Sequence, residues 1–267
     1  MRRIFGYISL AFIFFILISV WTLKIDNSLG YSEFVSGGAL FFIISFLFLF
    51  NIRKRLPFLP LWPAHKWFLL HTIMGFLALL LFWLHAGSLW PKGLYVQILA
   101  SLFYLTTLSG IVGLIMEKIY PNLLTRIGHE CIYERIPHDI AKIRKKSEKL
   151  ILECTEKTGS DTLAKHYLET LGWFFQRPRF FINNIFGGQD SHNWINQQCA
   201  ILERFLNEAE REYMKQIFTL AEIKRKIDHH YSLQTMLKSW LLIHIPLAAG
   251  AMVMAVWHLI VIQVYFN

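Results

Sequence analysis

The sequence predicts an all-α protein: a polytopic membrane bundle of five helical spans, with a helical cytoplasmic insertion between spans four and five. Three observations carry that prediction. The 267 residues are 55% apolar and 16% aromatic with a mean hydropathy of +0.41, a balance that belongs to membrane proteins. Five apolar runs approach or exceed the length of about 18 residues that marks a spanning helix. Between the fourth and fifth runs the composition changes to a charged, amphipathic stretch over 118–237. The expected organisation is therefore spans one to four in 1–117, the insertion in 118–237, and the fifth span in 238–267.

The first run, Ile4–Trp21, follows Arg2 and Arg3, a pattern shared with signal peptides. No small-residue cleavage site follows Val20, so the run reads as an uncleaved span. The second, Gly38–Phe50, is cut short by Asn51, Arg53 and Lys54 and is expected to begin near Val35. Trp67–Ala86 is the third and Leu94–Met116 the fourth, with Pro121 expected to close it near Tyr120. Ser239–Phe266 is the fifth, with Pro246 expected to bend it.

Orientation follows from basic residues in the loops. Arg2, Arg3, Arg53, Lys54, Arg55 and Lys66 fall on one side, as does the basic insertion; Lys24 and Lys92 are the basic residues of the other two loops. The expected location is an inner (plasma) membrane, with a cytoplasmic N-terminus and a periplasmic or extracellular C-terminus. The formal net charge of +9 is then a topology signal, and no nucleic-acid partner is implied.

The insertion reads as soluble helices. Pro137-His138-Asp139 opens one that buries Ile140, Ile143, Leu150, Ile151 and Cys154 and exposes five Lys/Arg between Lys142 and Lys149. Asp161 is expected to cap a second through Leu171. Arg177-Pro178-Arg179 and Gly187-Gly188 mark a loop. From His192, apolar steps through Ile195, Cys199, Leu202, Leu206, Ala209, Met214, Ile217, Leu220, Ile223 and Ile227 predict one long helix that can run on into the fifth span. His229 and His230 are expected on a solvated juxtamembrane face.

Chemistry concentrates in the third and fifth runs. The third holds His71 and His85, the fifth His244 and His258, and both pairs are fourteen positions apart. On an α-helix that separation is about 21 Å of rise and about four turns, so each pair shares one face with one imidazole toward each membrane surface. Spans three and five both run outward, which pairs His71 with His244 at the inner level and His85 with His258 at the outer. Ionisable side chains inside a membrane are costly and generally face the bundle interior. Two facing imidazoles at each of two levels form axial-ligand pairs for two stacked haems, with no position left open for oxygen. Gly75, Gly110, Gly113 and Ala248-Ala249-Gly250-Ala251 are small residues that permit close approach of helices or of a flat macrocycle.

The repeated His-x13-His pattern, with Gly75 soon after the first histidine, resembles the membrane domain of dihaem b-type cytochromes, and especially the ferric reductase-like group. The resemblance covers spans three to five. It implies two haem b groups held by His71, His85, His244 and His258, and electron transfer across the membrane. Two departures separate the chain from that group: no flavin and nicotinamide domain follows, and about 120 residues stand where spans four and five are joined by a short loop. The expected function is accordingly an electron relay between a quinol or cytosolic donor and an acceptor on the opposite face, as a subunit of a larger redox complex. A redox partner protein, membrane lipid and, as an open candidate, quinone are the expected partners. The alternative is a non-catalytic membrane scaffold or sensor whose inner domain docks a protein. A metal-ion transporter would add Asp or Glu within the spans, and none is evident there.

Other chemistry is sparse. Cys131, Cys154 and Cys199 are too few for a four-cysteine cluster and lack a C-x-x-C-H attachment. No nucleotide-binding glycine motif occurs. His129, Cys131 and His138 match no standard metal spacing. Trp62 and His65 read as interface anchors that could also border a quinone.

Overall fold

The fold is taken from a computed structural model, which describes residues 2–28, 31–49, 63–128 and 131–266. Most of the described residues are helical, with no strand among them. In chain order the helices are α1 (Arg2–Asn27), α2 (Ser32–Leu49), α3 (Ala64–Ala86), α4 (Leu94–Ile127), α5 (Ile136–Thr158), α6 (Thr162–His166), α7 (Gly172–Gln176), α8 (Phe181–Ile185), α9 (Asp190–Glu203) and α10 (Glu208–Phe266). Five of them, α1 to α4 and α10, are long and apolar enough to cross a membrane. The basic Arg53, Lys54 and Arg55, as well as Trp62 and His129, lie outside the described residues.

The chain divides into two compact units, one of Met1–Ile115 with Trp240–Asn267 and one of Met116–Ser239. In the first, Ile18, Leu40, Ile43, Leu77, Leu81, Phe82, Ala100 and Phe103 from α1 to α4 form one core. Phe82 stacks on Phe103 with ring centroids 4.5 Å apart. The outward faces remain apolar: Leu10, Phe12, Leu17, Phe42, Leu242 and Val264 are all exposed. Helix α3 ends where the sequence stops favouring it, at Gly87 in the left-handed conformation (φ 61°), whose N–H bonds the Trp83 carbonyl.

The second unit has its own core, in which Ile136, Ile140, Ile143, Ile151 and Cys154 of α5 meet Leu163, Phe174, Phe175, Ile195, Leu202, Met214, Ile217 and Ile227. Leu150 packs against it partly buried. Helix α5 starts with proline in its first turn and closes on Gly159 (φ 68°).

Several expectations are corrected here. Pro121 does not close the fourth span; α4 runs past it to Ile127. Proline removes one backbone donor from the helix, and nearby side chains bond carbonyls of the adjoining turns: Asn122 Nδ2 donates to the Lys118 carbonyl and Thr125 Oγ1 to that of Pro121. Asp161 makes no side-chain cap; its carboxylate pairs with Lys165 Nζ at 2.8 Å. The helix after it passes through a π-turn at Tyr167–Leu171 before α7.

The predicted long helix from His192 is two helices, α9 and α10, broken at 204–207. Asn207 Oδ1 accepts from the Glu210 N–H while Glu210 Oε2 accepts from the Asn207 N–H, a reciprocal pair that starts α10 afresh. Ala209 is consequently exposed and Glu210 buried. Downstream, α10 is continuous to Phe266 with Pro246 inside it. His230 is buried, not solvated, on the face of α10 that also buries Ile227 and Leu233.

Candidate functional site

The four histidines expected to act together all belong to the first unit, His71 and His85 on α3 and His244 and His258 on α10. The structure brings His85 to His258, with ring centroids 6.3 Å apart and planes at 79°. His71 and His244 are near enough to interact electrostatically. The two pairings match in chain order, so α3 and the last part of α10 run parallel where these rings meet. All four side chains are half-buried.

A second layer of side chains holds these rings from the neighbouring helices. On α2, Ser36 Oγ lies 3.2 Å from His85 Nδ1. The Ser36 hydroxyl is itself aimed at the carbonyls of Ser32 and Glu33. With its proton directed there, its oxygen accepts from His85 Nδ1–H. In a neutral ring that arrangement puts the proton on Nδ1 and leaves Nε2 as the bare nitrogen. Gly37, the next residue, makes room for the ring: a Cβ there would stand 2.8 Å from His85 Cε1.

The same arrangement recurs on α4. Ser109 Oγ lies 3.2 Å from His244 Nδ1, and a Cβ on Gly110 would stand 3.6 Å from His244 Cε1. Trp240, one turn before His244, stacks on it with centroids 5.1 Å apart and planes at 21°. Its indole N–H donates to the Ser109 carbonyl at 2.8 Å, and any Cβ on Gly113 would overlap its ring. At the other level Tyr95 stacks against His258 at 6.1 Å, its hydroxyl donating to the Met254 carbonyl at 3.4 Å.

The small residues thus serve particular rings. Gly37 clears His85 and Gly113 clears Trp240, whereas a Cβ on Gly75 would meet nothing within 4 Å and Gly250 makes ordinary contact with Leu102. Ser36, Gly37, Ser109, Tyr95 and Trp240 were not legible as site residues from helical spacing, because each reaches its histidine from a different helix or by stacking. One signal was present: the dipeptide Ser-Gly occurs at Ser36-Gly37 on α2 and again at Ser109-Gly110 on α4.

The donor set suits an iron with two axial imidazoles. Metal–imidazole bonds of about 2 Å on either side of one ion place two ring centroids about 6 Å apart, and His85 and His258 stand at 6.3 Å. Among the described residues no group of three or more His, Cys, Asp and Glu could hold a free metal ion.

Elsewhere the second unit contains one fully buried ion pair, Lys224 with Asp228, one helical turn apart on α10. Lys224 Nζ also donates to the Arg177 carbonyl at 2.9 Å and sits 4.0 Å from the Phe174 ring centroid; Asp228 Oδ2 accepts from the Arg179 N–H at 3.2 Å. Burial pushes the Asp228 carboxyl up to about 6 and the Lys224 ammonium down to about 8, outweighing their mutual attraction. The pair fastens the 177–179 segment to α10. Cys131 has its thiol pushed up to about 11 by burial and by Asp139. His65 is exposed in the first turn of α3.

Comparison with known protein families, with curated proteins and with solved structures finds no match for this chain.

Proposed function

We propose that the protein is a membrane-embedded dihaem cytochrome b, with His71 and His244 as axial ligands of one haem b and His85 and His258 of the other. The observation that carries this reading is the 6.3 Å separation of the His85 and His258 rings, which suits a single iron between them. His71 and His244, near enough to interact electrostatically, support the same reading at the second level. Bis-histidine haem supplies one-electron transfer without an open site for oxygen.

The chain's own residues present imidazoles in pairs and shield them. Ser36 and Ser109 hold the Nδ1 edges, while Tyr95 and Trp240 cover ring faces. Exposed apolar side chains on α1, α2, α4 and the end of α10 are the surface that lipid covers. With the basic loops cytoplasmic, the His71–His244 level faces inward and the His85–His258 level outward. The two levels then form a relay between a quinol or cytosolic donor and an acceptor across the inner membrane, in a complex with a redox partner protein.

The test is electron transfer across a sealed bilayer. In liposomes containing the purified protein and trapped ferricyanide, an impermeant external reductant should reduce the trapped ferricyanide, with reduced b-type absorption bands appearing in parallel. Vesicles no faster than protein-free controls would refute the relay.

A further inference from the structure

The two Ser-Gly dipeptides do the same thing at two histidines on different helices. Ser36 of α2 bonds His85 Nδ1 of α3 at 3.2 Å, and Ser109 of α4 bonds His244 Nδ1 of α10 at 3.2 Å. The glycine that follows each serine lies against Cε1 of the same ring, where a Cβ would stand at 2.8 Å (Gly37) or 3.6 Å (Gly110). Serine grips one corner of the imidazole at both sites; at His85 the glycine also clears the adjacent edge, whereas a Cβ on Gly110 would make ordinary contact with His244. A packing serine in a helix ordinarily returns its hydroxyl to a carbonyl one turn back, as Ser101 does to Gln97 and Thr107 to Phe103. Ser36 makes that return and still offers its oxygen to His85.

We propose that Ser36-Gly37 and Ser109-Gly110 are paired positioning elements that set the donor strength of one axial histidine at each level, and so the redox potential of each level. This rests on the dihaem reading. A hydrogen bond from Nδ1–H to a fixed oxygen holds the tautomer with Nε2 bare and makes Nε2 a stronger donor. A stronger donor favours ferric over ferrous iron, so each serine lowers the potential of its own level. One histidine of each pair is gripped in this way, from α3 at one level and from α10 at the other.

The experiment is a redox titration of purified full-length protein, wild type against S36A, S109A, S36T and S109T, with haem content measured on each. Wild-type haem content tests the dihaem reading, and the titration tests the serines. S36A and S109A should keep both haems and each raise the midpoint of a different one of the two steps. Outer-sphere substitutions typically alter metal affinity by about 10-fold or more. A 10-fold change in preference for ferric over ferrous iron is a rise of about 59 mV for one electron. The threonine variants, which keep the hydroxyl, should titrate close to wild type. A haem-loaded wild type whose alanine variants keep both midpoints unshifted overturns the serine assignment alone. A serine variant that loses haem while its threonine counterpart also loses it overturns it too, since shape and not the hydroxyl would then matter. A wild type without haem removes the reading and the inference together.

Discussion

The imidazole rings of His85 and His258 stand edge to face, 6.3 Å between centroids, although one belongs to α3 and the other to the far end of α10. Isolated histidines inside apolar helices are costly unless something satisfies them. Here each has a defined neighbour: Ser36 on the Nδ1 side of His85 and Tyr95 over the face of His258.

Gly37 predicts a sharp contrast with the glycine beside it. A Cβ on Gly37 would stand 2.8 Å from His85 Cε1, whereas one on Gly38 would meet nothing within 4 Å. Gly37→Val should displace the His85 ring and lower haem content from two toward one per chain, while Gly38→Val keeps two. Haem-to-protein ratios of the two purified variants check this.

The Lys224–Asp228 pair makes a prediction about stability and pH. Removing one partner strands a buried charge, so Asp228→Asn should cost about 3–5 kcal/mol, while the double variant K224M/D228L should be close to neutral. Asp228 ionises at about 6 when folded against an ordinary 3.8. Between those values the folded state keeps a proton that the unfolded state has lost, so wild-type stability falls as pH rises through this window. Lys224, at about 8 against 10.5, releases its proton early when folded, and stability rises again across that interval. Melting temperatures of wild type relative to the double variant should therefore be lowest between about pH 6 and pH 8. A maximum there would mean that attraction outweighs burial.

The break between α9 and α10 depends on Asn207 and Glu210. Asn207→Ala should destabilise the protein by about 1 kcal/mol, the usual cost of an N-terminal cap, and Asn207→Asp by much less. Denaturant titration followed by far-ultraviolet circular dichroism reads both. Equal losses for the two variants would argue against the cap.

The sequence made the five apolar helices and the pairing of histidines legible because both are local or periodic signals. Hydropathy needs only a window, and a fourteen-residue separation fixes a helix face without reference to any partner. What stayed hidden depends on contacts between distant segments. Ser36 meets His85 and Ser109 meets His244 across helices, and no spacing rule anticipates either. Two misreadings were avoidable from local chemistry: Asn207 with Glu210 three positions on is a helix-start signature, and it was overridden by apolar steps that continued through it. Pro121 misled in the opposite direction, since a proline inside a helix costs one backbone donor and α4 runs on past it to Ile127. The burial of His230 escaped notice because two adjacent histidines beside Lys226 look solvated, while the α10 face carrying Ile227 and Leu233 turns one of them inward.

The most direct measurement is the haem count of the purified chain and of its four single histidine variants, by the reduced pyridine adduct. Wild type should carry two haem b per chain; His71→Ala, His85→Ala, His244→Ala and His258→Ala should each carry about one. The remaining haem should be spectrally the same in His71→Ala and His244→Ala, and again the same in His85→Ala and His258→Ala. A colourless wild type, or full haem content in all four variants, would contradict the account.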